Sequence, residues 1–334
     1  KVEFVNMNST GAVNAEGYTF TMGRGIVNSN NGGNLYGVNS NKACTNTVKI
    51  ESGTYSDLRN FGQGISAGNA VDQLMILGCD YDRAKNDNTK LRIRESMYVG
   101  YGVQLNRATN SLYMRCYVKS GNLGSTVNVS GNNDYDGAGG TNTYYFSVAS
   151  THNAGRRFLC VEGGRLDGIA GGMDETDNQS TTGRSFDLRV RGTAQIDGVV
   201  YGAAEFAGAR GTRTMVFTGG TVNGWIAAGA NGTQSDGGLL AGSSYLYFGG
   251  KAKTDSGNSN QVMNRAVGGN VFGAGCGYGA TSNSGQVNAG TNVVVADEAY
   301  VERGVYGGGS YGYTTETSNI YVLGGTVGGK NGGV

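Results

Sequence analysis

The chain has 334 residues, with 62 glycines, 20 tyrosines and no proline. The lack of proline excludes a collagen triple helix, and the Val, Ile, Leu, Phe and Tyr that alternate with glycine supply the apolar surface that a disordered chain lacks. Lys and Arg number 26 against 25 Asp and Glu, so the formal charge of +1 gives no global field to attract nucleic acid or an anionic membrane.

Residues 1–156 predict β-structure with only weak internal similarity. Ser52-Gly-Thr-Tyr55 is followed 26 residues later by Asp80-Tyr81. Ser, Asn, Asp, Thr and Gly dominate residues 131–156, which predicts a surface insertion. No segment of the chain approaches the roughly 18 consecutive apolar residues of a transmembrane helix, so no membrane span is predicted.

Residues 157–334 contain a clearer repeat. The stretch from Leu188 to Gly202 returns 26 positions later as Thr214 to Ala228, with Ile196 matched to Val222. Extending the match gives successive anchors that are 30, 26, 30, 49 and 26 residues apart, namely Leu166, Ile196, Val222, Ala252, Val301 and Val327. A fixed period of short β-type segments indicates a stack of similar coils, and the longer steps predict insertions at 254–266 and 279–290.

Within one coil, Leu188, Val190 and Ile196 alternate with polar residues, which is typical of a strand with one buried face. A second short strand is predicted after an Asp-Gly or Asn-Gly turn, at Val199-Val-Tyr201, Trp225-Ile226 and Val305-Tyr306. Propeller blades need longer repeats, and leucine-rich repeats need a leucine pattern that is missing here.

The predicted fold class is therefore all-β, a single-stranded parallel β-helix or β-solenoid with coils of about 26–30 residues and loop insertions. We expect one domain over residues 1–334, with irregular coils in 1–156 and regular glycine-rich coils in 157–334. The sequence stops at Val334 in mid-repeat without a capping element. We expect either that the natural protein continues or that another molecule covers this end.

The five cysteines form no Cys-x-x-Cys pair. Cys160 aligns with Val190 and Val216 in this repeat, which predicts that its side chain faces inward as a small hydrophobic group. The only histidine, His152, lies in a predicted insertion and is expected to be solvated.

Acidic pairs in glycine-rich segments are candidate calcium ligands, because carboxylate oxygens suit this cation. They also serve as turn residues or as the paired acids of glycoside hydrolysis. The candidates are Asp134, Asp136, Asp174, Glu175 and Asp177. No catalytic or cofactor-binding set is predicted.

Two other residue groups suit a carbohydrate surface. Arginines and aspartates could line a groove on one sheet, although ordinary strand surface explains them as well; they are Arg156, Arg157, Arg189, Arg191, Arg210 and Arg213 with Asp187 and Asp197. The tyrosines could stack between coils or present ring faces to sugars.

Four glycine-rich segments resemble the repeats of large adhesin-like surface proteins of bacteria, in which Gly-Gly-Thr-Val-x-Gly alternates with Val-Tyr-Gly-Gly-Gly. They are Gly219-Gly-Thr-Val-Asn-Gly-Trp225, Gly269-Asn-Val-Phe-Gly-Ala-Gly-Cys-Gly277, Gly304-Val-Tyr-Gly-Gly-Gly309 and Gly324-Gly-Thr-Val-Gly-Gly329. The resemblance covers residues 157–334 and implies an extracellular β-helical stalk without catalytic residues.

The resulting hypothesis is a structural and adhesive protein of the bacterial cell surface that is not an enzyme, and that either assembles end to end into a fibre or forms part of a long adhesin stalk. Its expected partners are copies of itself, joined end to end into a filament, and glycans or a host surface, without a cofactor and without nucleic acid. The alternative is a carbohydrate-active β-helix enzyme, such as a polysaccharide lyase, a glycosidase or a phage-type depolymerase.

Overall fold

A computed structural model of the chain describes the strands of the first part and most of the last part. The described residues are 2–4, 13–14, 20–22, 35–36, 46–50, 53–60, 72–77, 91–99, 113–119, 122–123, 144–145, 156–166, 168–171, 185–203, 209–230, 240–255, 268–276, 285–310, 312 and 314–329. Every strand pair among them is parallel, and these residues include no helix.

The first face of the molecule is an 11-stranded parallel sheet in which sequence order and spatial order agree. Each strand pairs with the strand of the preceding coil, as a solenoid requires. Its strands are Val2–Phe4, Phe20–Met22, Asn46–Ile50, Asp72–Leu77, Tyr113–Val118, Arg156–Val161, Ser185–Val190, Arg213–Phe217, Ser244–Phe248, Thr291–Val295 and Ser318–Val322.

The second and third faces belong to a 15-stranded sheet that is joined through the long strand Leu91–Val99. The strand Gly53–Asn60 pairs along the length of Leu91–Val99 and, like it, belongs to both faces. The second face continues with Asn122–Leu123, Arg165–Leu166, Gln195–Ile196, Thr221–Val222, Lys253–Thr254, Tyr300–Val301 and Thr326–Val327. The third face comprises Tyr144–Tyr145, Ile169–Ala170, Val200–Tyr201, Ile226–Ala227, Val271–Phe272 and Val305–Tyr306.

Two smaller parallel pairs complete the described strands. They are Val13–Asn14 with Leu35–Tyr36, and Ala209–Arg210 with Leu240–Ala241.

The predicted β-solenoid is confirmed at its central register. Leu166 pairs with Ile196, and Ile196 pairs with Val222 in the next coil. Tyr300-Val301 pairs with Thr326-Val327, 26 residues later, also as predicted. The short second strands predicted at Val200, Ile226 and Val305 form the third face.

Apolar side chains fill the interior in rows that run from coil to coil. On the first face one such row contains Leu188, Met215, Leu246 and Val293, all fully buried. In a neighbouring row the rings of Phe217 and Phe248 lie 5.6 Å apart. A single coil could not bury these side chains alone, so each coil is stabilised by its two neighbours.

The corner between the first and second faces occurs in two lengths. Three residues form it at 162–164, 218–220 and 323–325, and the last glycine of each has a left-handed φ of 80° to 85°. Four residues form it at 191–194, 249–252 and 296–299. The second residue of each longer corner is left-handed, and the fourth is a buried alanine, namely Ala194, Ala252 and Ala299.

The corner length explains an error in the predicted register. The repeat spacing predicts that Ala252 matches Val222, but Val222 pairs with Thr254. Because Ala252 is the fourth residue of a long corner, the anchor of that coil lies two positions later than predicted. The predicted 26-residue step from Tyr55 to Tyr81 is also wrong, since Tyr55 pairs with Ile93 and Tyr81 lies outside the described residues.

Two predicted insertions contain strand residues of the stack. Tyr144–Tyr145, within the predicted insertion 131–156, pairs with Ile169–Ala170 on the third face. Val287, within the predicted insertion 279–290, is fully buried and forms bridges with Leu240 and Thr314. Segments of polar composition therefore contain backbone that pairs with strands of the stack.

In the part of the chain that the structure describes, no helix is long and apolar enough to cross a membrane.

The Asn223-Gly224 turn lies directly over Asp197-Gly198, which gives a test of coil stacking. A Cβ atom at Gly224 would overlap the carbonyl oxygen of Gly198, whereas at Gly308 the nearest such atom is 3.9 Å away. We expect Gly224→Ala to lower the free energy of unfolding by about 1–3 kcal/mol because backbone must shift to make room. Gly308→Ala is the control, with a change within about 0.5 kcal/mol. Thermal unfolding followed by circular dichroism measures both, and equal melting temperatures for the two variants would contradict the stacking.

Candidate functional site

The outer surface of the first face carries a cluster of charged side chains around Glu162. Lys119, Glu162 and Arg191 follow the first-face strands of three successive coils. Lys119 donates to one carboxylate oxygen of Glu162 and Arg191 donates to the other. Partial burial raises the pKa of Glu162, but the hydrogen bonds from Arg191 and Lys119 outweigh this effect and keep it below its usual value. The cluster is therefore an ion-pair network between coils.

Cys160 lies beneath this cluster, on the outward side of the strand. It pairs in register with Arg189, whereas Val190 pairs with Val161, so the predicted alignment with Val190 is wrong by one residue. The side chain is nevertheless only 1% exposed, and Cys160 Sγ lies 3.8 Å from a carboxylate oxygen of Glu162. The expected burial is confirmed, but the prediction that the side chain faces inward is wrong, because it lies on the outer side of the strand beneath charged side chains.

A second polar network joins coils on the outer side of the second face. Asp197 accepts hydrogen bonds from Gln195 Nε2 at 2.8 Å and from Asn223 Nδ2 at 3.0 Å, and it forms an ion pair with Arg165. On the first face, Arg189 Nε lies 2.8 Å from Asp187 Oδ1. The Asp197 network links three adjacent strands, whereas the Arg189–Asp187 pair lies within one strand.

Arg213 does not belong to an exposed groove, contrary to the sequence-based hypothesis. It is fully buried on the inner side of the first face, in register between Phe186 and Ser244. Its Nη1 atom donates to the carbonyl oxygens of Thr212 at 3.3 Å and Gly211 at 3.4 Å. The guanidinium therefore contacts backbone inside the stack.

Asp297 occupies a corner position that is glycine in the other two long corners, at Gly192 and Gly250. Its φ of 59° is left-handed, like that of Gly250 in the preceding coil. Its Oδ2 accepts hydrogen bonds from Tyr247 Oη at 2.7 Å and from the Gly250 amide at 2.9 Å. The hydrogen bond from Tyr247, followed by the one from the Gly250 amide, lowers the pKa of Asp297. The same Tyr247–Asp297 hydrogen bond raises the pKa of Tyr247.

A recess of about 530 Å³ lies on the second face, where the short corner 218–220 stands between the long corners 191–194 and 249–252. Its walls are Gly192, Thr193, Ala194, Gln195, Gly220, Thr221, Lys251 and Lys253. A second recess of about 540 Å³ adjoins it and shares Lys251 and Lys253. The walls of this second recess also include Asp255, Glu298 and Tyr300.

The candidate calcium ligands Asp134, Asp136, Asp174, Glu175 and Asp177 lie outside the described residues, as does His152. Within the described ranges, no three His, Cys, Asp or Glu side chains are close enough to hold a metal ion. The side chains of Arg156, Arg157 and Arg210 also lie outside the described part.

Sequence reasoning missed the residues that define these surfaces, namely Lys119, Glu162, Lys251, Lys253 and Asp297. Correct pairing of the first-face strands places Lys119, Glu162 and Arg191 one above another, so a register counted from the strand ends could have found the first network. The recess depends on corner length, and the buried alanine that ends each long corner is its sequence signal.

Comparison of the chain with protein-family models, with curated proteins and with solved structures gives no match.

The Tyr247–Asp297 contact predicts a pH-dependent contribution to stability. Since the pKa of Asp297 is lower in the folded state, its contribution is complete above the usual value of 3.8 and is lost as the pH falls through the lowered value. We expect Asp297→Asn, which tolerates the left-handed φ, to lower the melting temperature at pH 7 and to differ less from the natural chain as the pH falls below 3.8. A difference in melting temperature that stays constant down to pH 2 would contradict this assignment.

The buried cysteines give a second test. Burial raises the pKa of the Cys116, Cys160 and Cys276 thiols, and each is at most 1% exposed. We expect iodoacetamide at pH 8 to leave these three thiols unmodified in the native protein and to alkylate them in denaturant, because the reagent needs an accessible thiolate. Peptide mapping by mass spectrometry reads each site separately. Alkylation of Cys160 at the same rate in both states would show that the Glu162 cluster does not cover it.

Proposed function

We propose that this protein is a structural and adhesive stalk of a bacterial cell surface, in which stacked coils continue from one copy to the next. The main support is the edge at the last described strands, where no described residue covers the rows of core side chains. Val322 is 47% exposed, although Phe248 and Val295 in the same row are fully buried. On the third face Tyr306 is 44% exposed, whereas Phe272, on which its ring stacks at 5.0 Å, is 4% exposed.

The backbone of the same coil supports stacking of a further strand. The amide of Leu323 donates to the carbonyl of Val295 at 2.7 Å, so the amides of alternate residues point back into the stack. Those of Ser318, Ile320 and Val322 point to the opposite side, where no described strand pairs with them. An added strand in parallel register would satisfy these groups in the same way as the coils below.

The composition of this edge favours a covered surface. Residues 317–329 contain no charged side chain and no proline, the devices that natural proteins use to protect an exposed strand edge. A side-chain ladder also reaches this edge, because Asn319 Nδ2 donates to Asn292 Oδ1 at 3.0 Å. We take a second copy of the chain as the occupant, since the interface it would form continues the coil-to-coil interface of the fold.

The location at the cell surface follows from the resemblance of the glycine-rich segments to adhesin-like repeats. The alternative, a carbohydrate-active enzyme, has less support. Arg189 and Arg191 are held by Asp187 and Glu162, and Arg213 is buried. None of these arginines combines with a nucleophile or an acid pair in the described part of the chain in a way that suggests catalysis.

End-to-end association is tested by blocking the strand edge. Proline at position 322 removes an amide that points away from the stack, so Val322→Pro should preserve the internal hydrogen bonds and weaken association by at least about tenfold. Val322→Thr is the matched control, because it keeps the amide and the β-branched shape. We expect concentration-dependent oligomers of the natural chain and of the threonine variant in analytical ultracentrifugation, and end-joined particles in electron microscopy.

The proposal fails if the natural chain remains monomeric at high concentration, which would mean that other residues of the protein cover the edge. It also fails if Val322→Pro assembles as strongly as the natural chain. The melting temperature of the dilute monomer serves as the control for correct folding.

A further inference from the structure

The recess at the short corner 218–220 is a direct product of corner length. The long corners 191–194 and 249–252 lie on either side of this recess, and each has one residue more than the short corner between them. The short corner also lacks the alanine that ends each long corner. Thr221 of the short-corner coil lies between Gln195 and Lys253 in register. The recess therefore opens outward over three adjacent strands of the second face.

Lys251 and Lys253 differ from four other basic residues of the described outer surface. Lys119, Arg165, Arg189 and Arg191 each form an ion pair with a carboxylate of the same or a neighbouring coil. Both lysines are exposed, and within the described ranges neither has a carboxylate at ion-pair distance. One coil thus presents two ammonium groups that form no ion pair within the described part of the chain.

The remaining walls of the recess indicate what kind of ligand it suits. The hydroxyls of Thr193 and Thr221 and the carboxamide of Gln195 can donate and accept hydrogen bonds, and the first recess has no carboxylate in its walls. In the adjoining recess Tyr300 offers a ring beside the same lysines, whereas the carboxylates of Asp255 and Glu298 in its walls disfavour an anion there and leave the first recess for the anionic groups. Hydroxyl-rich chains with spaced negative charges match this combination of short polar groups, an aromatic ring and two cations.

We propose that this recess binds an acidic polysaccharide, with Lys251 and Lys253 contacting its anionic groups. Single-stranded nucleic acid fits less well, because Tyr300 is the one aromatic side chain among the wall residues of the two recesses, whereas successive bases stack on several rings, and the formal charge of the chain is only +1. The inference names a ligand class for the adhesive part of the proposed function. It does not depend on end-to-end association, because all the walls lie within one chain.

The experiment measures binding of the full chain to immobilised polygalacturonate, alginate and dextran sulfate, with neutral dextran and oligothymidylate as comparison ligands. The test variant is Lys251→Gln with Lys253→Gln. The matched control is Lys119→Gln with Arg189→Gln, which removes the same net charge from ion pairs on the first face. Each variant is also prepared in combination with Val322→Pro, so that a loss of polysaccharide binding can be distinguished from a loss of end-to-end assembly.

We expect at least one acidic polysaccharide to bind, with affinity that falls as salt rises. The lysine variant should bind at least about tenfold more weakly, and the control variant should bind as the natural chain does. No binding to any acidic polysaccharide would overturn the proposal, and so would equal losses in both variants, which would indicate a response to net charge only. Equally tight binding of oligothymidylate would assign the recess to nucleic acid instead.

Discussion

Main-chain hydrogen bonding between successive coils is the constraint on which this structure depends. Each strand has to present its donors and acceptors in register with the strands before and after it, so segment length can vary only where the chain leaves the sheets. The absence of proline and the short Gly, Asn and Asp turns agree with this requirement. Longer steps between strands keep this register, since Val271 pairs with Ile226, 45 residues earlier, and Thr291 pairs with Ser244, 47 residues earlier.

The sequence predicts this fold wherever a coil is close to the regular length. Ile196 and Val222 could be paired because 26 residues separate them and the same turn follows each. Ala252 could not be placed from spacing, since both corner types keep apolar residues near the same position. Cys160 was misaligned because Leu159, Cys160 and Val161 form a continuous apolar run, in which a period of two does not reveal the buried side.

The candidate site is less predictable than the fold, because only the tertiary structure brings its residues together. Charged residues are scattered through the sequence, and only the coil register shows which of them neutralise one another. Arg189 and Lys253 are both outward residues of a strand, yet one is paired and the other is not. The sequence also predicts the wrong side of the strand for Arg213. An arginine at an inward position contradicts the alternating pattern of its strand, and backbone carbonyls of its own segment accommodate it.

The direction of the hydrogen bonds also determines how the molecule responds to force. The bonds between coils run along the stacking axis, so tension on the two ends passes through every interface in series. The weakest interface then sets the load at which the chain extends, however many coils are present. A stalk built in this way can gain length without losing tensile strength, and it would yield one coil at a time.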